Sequence, residues 1–143
     1  MKSAIICDLD GTLALMNGRN PYDASNCDKD LPNIPVIETV KGLHKLGYEV
    51  IFLSGRMDKY REPTERFILQ HCPFLIGEYG WDFRLYMRKS GDNRKDSIIK
   101  EELYRDHVDG QFRVLLVLDD RNQVVDLWRD LGLTCFQVAP GDF

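Results

Sequence analysis

The chain predicts an α/β fold built on a doubly wound, mostly parallel, Rossmann-like sheet, and three observations carry that expectation. Apolar runs of strand length alternate with segments of helical apolar spacing along the whole sequence. Two of the runs, Ala4-Ile5-Ile6-Cys7 and Val114-Leu115-Leu116-Val117-Leu118, are continuous, as in strands covered on both faces. Polar residues capable of chemistry gather just after these runs, at the carboxyl edge where open α/β sheets place their ligands.

Taken in order, the first strand, Ser3 to Cys7, runs into Asp8-Leu9-Asp10-Gly11-Thr12. Residues Leu13 to Pro35 hold three prolines and several Asn and Asp, and read as one long irregular stretch. Loops of that length in compact domains usually serve function. Val36 to Leu46 has helical spacing and ends at Gly47, the usual place of a C-terminal glycine. A second strand, Glu49 to Ser54, leads into Gly55-Arg56 and then a helix from Arg61 to Cys72. Phe83 to Arg88 is the third strand and Arg94 to His107 the next helix. Arg113 to Leu118 then delivers Asp119-Asp120, followed by a helix from Gln123 to Leu131, Gly132, and a last strand from Thr134 to Val138. No internal repeat or low-complexity tract interrupts the pattern.

Length and composition bound the reading. A chain of 143 residues with 43% hydrophobic content suits one domain, 1–143, with a core of ordinary size. No apolar stretch approaches the ~20 residues of a membrane span, and the start lacks the pattern of a signal peptide. Cys7, Cys27, Cys72 and Cys135 show neither Cys-x-x-Cys spacing nor a dense framework. Cys7 and Cys135 fall in expected strands as small apolar fillers, and a reduced, cytoplasmic setting is the plain inference. His44, His71 and His107 lie in expected helices without partners at metal-ligand spacing.

Asp8 and Asp10 flank Leu9, so on an extended backbone both carboxylates share a face and can converge on a cation. An isolated Asp-x-Asp-Gly is more often just an acidic turn, but here a second acidic pair, Asp119-Asp120, closes another buried strand, and Ser54-Gly55-Arg56 closes a third. Hard cations such as Mg²⁺ take carboxylate, water and phosphate oxygens. The constellation points to Mg²⁺-assisted phosphoryl transfer.

In this order the motifs resemble those of the haloacid dehalogenase (HAD) superfamily. Segments between them, Asn17-Gly18-Arg19-Asn20-Pro21-Tyr22-Asp23, Gly91-Asp92-Asn93-Arg94-Lys95-Asp96, Ile99-Lys100-Glu101-Glu102 and Gln137-Val138-Ala139-Pro140-Gly141-Asp142-Phe143, resemble the 3′-phosphatase domain of phage-type polynucleotide kinase-phosphatase. The likeness spans essentially the whole chain. It implies a short flap at Leu13 to Pro35 with no large cap domain, leaving the site open to a large substrate. No Gly-x-x-x-x-Gly-Lys-Ser/Thr loop is present, so the phosphatase half alone is expected, natural or excised, with any kinase or ligase a separate partner.

The resemblance also implies roles. Asp8 is the nucleophile that forms an aspartyl-phosphate and Asp10 the general acid and base. Asp8, the Asp10 backbone carbonyl and the pair Asp119 and Asp120 hold Mg²⁺, with the direct ligand of that pair left open. Ser54 donates to the transferring phosphoryl oxygens, and Thr12 is a substrate-binding residue. Lys100, nineteen residues before Asp119, neutralises Asp8 and the phosphate; Lys95 is the competing candidate, about 140° away on the same helix. Arg19, Arg56 and Arg88 match substrate-binding arginines.

The expected activity is hydrolysis of the 3′-terminal phosphate from DNA or RNA ends. A small-molecule or nucleoside monophosphate phosphatase is the first alternative, and a non-catalytic end-binding subunit of a repair complex the second. The net charge of −4 argues against a polynucleotide, yet Arg84 to Lys100 holds six basic residues against two acidic, a local stripe able to hold phosphates. Trp81, Phe83 and Tyr86 read as packing, with base stacking as their functional alternative; Trp128 is expected to be buried.

Overall fold

The computed structural model describes residues 1–143. In chain order its elements are β1 (Lys2–Cys7), β2 (Ala14–Leu15), β3 (Leu31–Pro32), α1 (Ile34–Lys45), β4 (Glu49–Met57), α2 (Arg61–His71), β5 (Ile76–Gly77), β6 (Gly80–Trp81), β7 (Arg84–Arg88), α3 (Asp96–His107), β8 (Phe112–Asp119), α4 (Asn122–Asp130) and β9 (Cys135–Gln137). Five strands form one all-parallel sheet in the order β7-β4-β1-β8-β9.

Strand periodicity explains why helices cover both faces. Ile5 and Cys7 of β1 and Val50 and Phe52 of β4 point to one side, where they meet Val36, Ile37 and Val40 of α1 and Phe67 and Ile68 of α2. Ala4, Ile6, Ile51 and Leu53 point to the other, against Tyr104 of α3 and Val124, Val125 and Trp128 of α4. Both faces of β1 are apolar, so water has no access to either, and the register is fixed from both sides. The chain leaves β1 toward β4 on one side and later inserts β8 on the other. The winding therefore reverses at β1, and a cleft opens at the carboxyl ends there.

Three local differences from the expected elements have physical causes. β4 continues through Ser54 to Met57, with its pairing to β7 skipping from Ser54 to Met57, so Gly55 and Arg56 bulge at the sheet's carboxyl edge. α3 starts at Asp96 rather than Arg94, because Lys95 is extended (ψ 141°) and Asp92 binds the Arg94 N–H at 3.2 Å in a turn. The stretch Leu13 to Pro35 is not wholly irregular: β2 and β3 pair as a minimal antiparallel hairpin, and a 3₁₀ turn at Cys27–Lys29 buries Cys27. It is a flap, as expected, with no domain-sized cap. The β5–β6 hairpin was not foreseen from sequence; two-residue strands carry no periodicity to read.

Gly47 and Gly132 take positive φ just past α1 and α4, as anticipated. All four cysteines are buried free thiols. Gly42 is different: it lies inside α1, exposed, and no atom stands within 4 Å of where a Cβ would project. Gly42→Ala is expected to raise stability by ~0.5–1 kcal/mol through the unfolded chain's lost freedom, read by urea unfolding, with no change in activity.

Candidate active site

β1 and β8 are adjacent and parallel, so their carboxyl ends bring Asp8 and Asp119-Asp120 together. One carboxylate oxygen from each of Asp8, Asp119 and Asp120 lies within 4.8 Å of the others, and all three residues are buried. Lys100 reaches this trio from α3: its Nζ is 2.6 Å from Asp8 Oδ1 and 3.0 Å from Asp119 Oδ2. Asp119 Oδ2 also accepts from the Trp128 indole at 3.1 Å, and its Oδ1 from the Asp120 N–H at 2.8 Å. Thr12 donates to Asp8 Oδ2 at 2.9 Å and lies 3.3 Å from Asp120 Oδ1. Gly11, at φ +79°, is required by the same packing, because a Cβ there would run into the Asp120 carboxylate.

Three buried carboxylates against one ammonium leave an excess of negative charge, and burying unpaired charge is expensive. Burial, then the neighbouring Asp119 charge, pushes the Asp8 carboxyl well above its ordinary range, with Lys100 opposing. Burial raises Asp120 as well. Burial would lower Lys100, but the charges of Asp119 and Asp8 hold it well above the ordinary lysine value. A divalent cation among these oxygens would relieve the excess, so the trio fits a hard metal ion.

Asp10 belongs to a second group. Its carboxylate takes a bidentate grip from Arg56, at 2.7 and 3.0 Å, and a third bond from Arg19 at 2.8 Å. Asp30, buried at the end of the flap, accepts from both arginines at 2.9–3.2 Å. Burial alone would raise Asp10, but the hydrogen bonds and charge of Arg56, joined by Arg19, bring it below the usual carboxylate value. Asp8 and Asp10 are thus two residues apart in sequence and pushed in opposite directions by their surroundings.

The sequence-selected residues do not all face the same space. Asp8, Asp10, Arg56, Arg88, Lys100, Asp119 and Asp120 line one open cavity of about 600 Å³. Ser54 is buried, and its hydroxyl accepts from the Arg56 N–H at 3.1 Å; Thr12 is buried under the carboxylates. Neither hydroxyl borders the cavity. Arg88 lines it, but its guanidinium binds the carbonyls of Gly55 (2.7 Å), Asp92 (2.9 Å) and Arg94 (2.5 Å) and pairs with Asp96 at 3.5 Å. Lys95 caps α3 at the cavity wall, outside the carboxylate trio. Much of the basic stripe is already paired: Arg94 with Glu102 and Asp92, and Arg84 with Glu49.

Three participants were missed from sequence. Asp30 sits in the flap with no motif around it. Asp96 packs against Gly55 so closely that a Cβ there would strike its carboxylate. Trp128 was expected to be buried and is, but its bond to Asp119 has no sequence signal. The functional alternative for Trp81 and Phe83 lapses on position: they stack on each other at 5.6 Å ahead of β7, at the sheet's opposite end.

Residues 2–143 match the family model described as the polynucleotide kinase PNKP phosphatase domain. The chain belongs to that family. It is therefore a phosphatase domain of HAD type. Two solved structures of a Pnkp1/Rnl/Hen1 complex, one of them named as an RNA repair complex, each contain a chain 52% identical to it at a TM-score of 0.90. The match covers 99–100% of this chain and 44–48% of those chains. A putative bifunctional polynucleotide kinase/RNA ligase of Autographa californica nuclear polyhedrosis virus is 38% identical over 139 residues, 95% of this chain and 19% of that protein. The class C acid phosphatase of Bacillus anthracis, at 17% identity and a TM-score of 0.63, shares the fold. The chain thus spans less than half the length of these kinase- and repair-complex relatives. No helix is long and apolar enough to cross a membrane.

Proposed function

We propose that this domain hydrolyses 3′-terminal phosphates on nucleic-acid ends, using Mg²⁺ bound by Asp8, Asp119, Asp120 and the Asp10 carbonyl. The observation that carries the reading is the buried carboxylate trio held by Lys100 at the floor of an open cavity. The family match and the polynucleotide-directed name of the viral relative favour a strand end over a free nucleotide. The cation supplies the charge neutralisation that lets an anionic ester approach a carboxylate.

Asp8 attacks phosphorus, the bond to the 3′ oxygen breaks, and Asp10 protonates the departing alkoxide. Water then attacks the Asp8-bound phosphoryl group and gives its proton to Asp10, releasing inorganic phosphate and the Asp8 carboxylate. Lys100 holds Asp8 in place throughout. The resting pairing of Asp10 gives Arg56, which lines the cavity, a further role, while Arg19 lies outside the cavity lining. An incoming phosphate competes for the Arg56 N–H groups, loosens their grip on Asp10 and lets its pKa rise toward that of a working acid.

Phosphate release from matched oligonucleotides bearing a 3′- or a 5′-phosphate, and from a 3′-mononucleotide, tests the reading with and without Mg²⁺. The expected result is metal-dependent release with strong preference for the 3′-phosphorylated strand. Better turnover of the mononucleotide would move the substrate to nucleotide metabolism, and a rate untouched by chelation would remove the metal.

A further inference from the structure

The cavity has an aromatic wall that the proposed chemistry does not use. Phe143 lines it while remaining 66% exposed. The Arg121 guanidinium lies over the Phe143 ring, 5.1 Å from its centroid, and Arg121 Nε donates to the Phe143 carbonyl oxygen at 2.8 Å. The segment that carries the ring is held against the acidic loop. The Val138 N–H donates to the Asp119 carbonyl at 3.0 Å and the Asn122 N–H to the Gly141 carbonyl at 2.9 Å. A Cβ on Gly141 would collide with the Asp120 carbonyl and the Arg121 Cα. The ring is therefore positioned from the same loop that carries Asp119 and Asp120.

Leaving a large apolar ring wet forgoes the gain of burying it. Elsewhere the cavity combines charged side chains, among them Asp8, Arg56 and Lys100, with the rings of Tyr22 and Tyr60, so a partner suited to Phe143 is flat, aromatic and attached to an anion. A nucleobase joined to a phosphate through its sugar has that form, and a guanidinium behind the ring adds a cation–π contribution.

We propose that Phe143, backed by Arg121, is the stacking platform for the terminal nucleobase of the substrate. The inference rests on the reading of a nucleic-acid end as substrate, and it makes Phe143 a positioning residue. Stacking is tolerant of base identity, so the platform distinguishes a nucleoside end from a bare sugar without reading sequence.

The test uses two oligonucleotides, both 3′-phosphorylated, that differ only in the last residue: a nucleoside in one, a tetrahydrofuran abasic sugar in the other. Wild type is expected to favour the nucleoside end by about tenfold in kcat/KM, mostly through KM. In Phe143→Leu and Phe143→Ala that difference closes to within about twofold; the leucine keeps apolar bulk, so its loss isolates the ring. Tyr22, 92% exposed on the flap at the same cavity, supplies the comparison, and Tyr22→Ala keeps the difference. Equal turnover of both ends by wild type overturns the platform and leaves the substrate reading standing. A difference lost in Tyr22→Ala and kept in both Phe143 variants also overturns it, and moves the base to the flap. Release from neither oligonucleotide overturns the substrate reading and the platform with it.

Discussion

Asp8→Asn is expected to abolish phosphate release, by about 10⁴-fold or more, without unfolding the protein. An amide has the shape of the carboxylate but is not a nucleophile, and loss of a nucleophile removes nearly all of the catalysis that a site contributes. The fold should not suffer, and the direction of the Asp8 shift says why. A carboxyl whose pKa is raised by folding contributes stability in full below its ordinary value and loses it as pH rises through the folded pKa. Above the ordinary carboxyl range Asp8 therefore works against folding in metal-free buffer, increasingly so as pH rises toward the folded pKa. The amide keeps an oxygen for Lys100 and removes one of three like charges. Thermal unfolding at pH 7 in a chelating buffer should therefore place the variant at or above wild type, while single-turnover release falls to background. Near-normal turnover would remove Asp8 from the nucleophile's place, and a lower midpoint would contradict the electrostatic account.

Lys100→Ala is expected to do the opposite to stability while also ending activity. Its side chain is 2% exposed, and its ammonium is the cation within hydrogen-bonding distance of both Asp8 and Asp119. Removing one member of a buried charge cluster typically costs about 3–5 kcal/mol, because the partners are left unpaired. A raised lysine pKa contributes stability in full below the ordinary lysine value and loses it only as pH climbs through the folded one. The deficit should accordingly shrink in strong alkali, where the lysine itself loses its charge, and in acid, where its partner carboxylates are protonated. Lys95→Ala, five positions earlier at the α3 cap, touches none of these carboxylates and should stay within ~0.5 kcal/mol of wild type. Urea unfolding and phosphate release on the two variants decide between them: a catalytic Lys95 with a dispensable Lys100 would overturn this arrangement.

How far the sequence reached depended on how local each feature is. Helix and strand identity was legible because apolar spacing repeats within one element, and the ends of β1 and β8 were legible because continuous apolar runs stop abruptly at Asp8 and Asp119. Lys100 was found through motif spacing, and its distance to Asp8 follows from α3 packing across the sheet. Arg19 and Arg56 were picked out as phosphate binders, but their present partners are Asp10 and Asp30. No spacing rule reports that, because Asp30 comes from the flap and Arg56 from a bulge at the end of β4.

By itself the sequence determined the parallel α/β architecture and the acidic pairs at the carboxyl edge, since both follow from side-chain period and from where apolar runs end, while the flap in place of a cap followed from the family resemblance. Only the tertiary structure decided which charges meet. It set Asp8 against Lys100 and Asp10 against two arginines, turned the Thr12 and Ser54 hydroxyls inward, and placed Phe143 at the cavity wall. Electrostatic partnership depends on distances of a few ångströms between segments as far as 108 residues apart in sequence, and those distances are fixed by packing of the whole sheet and its helices rather than by any local pattern.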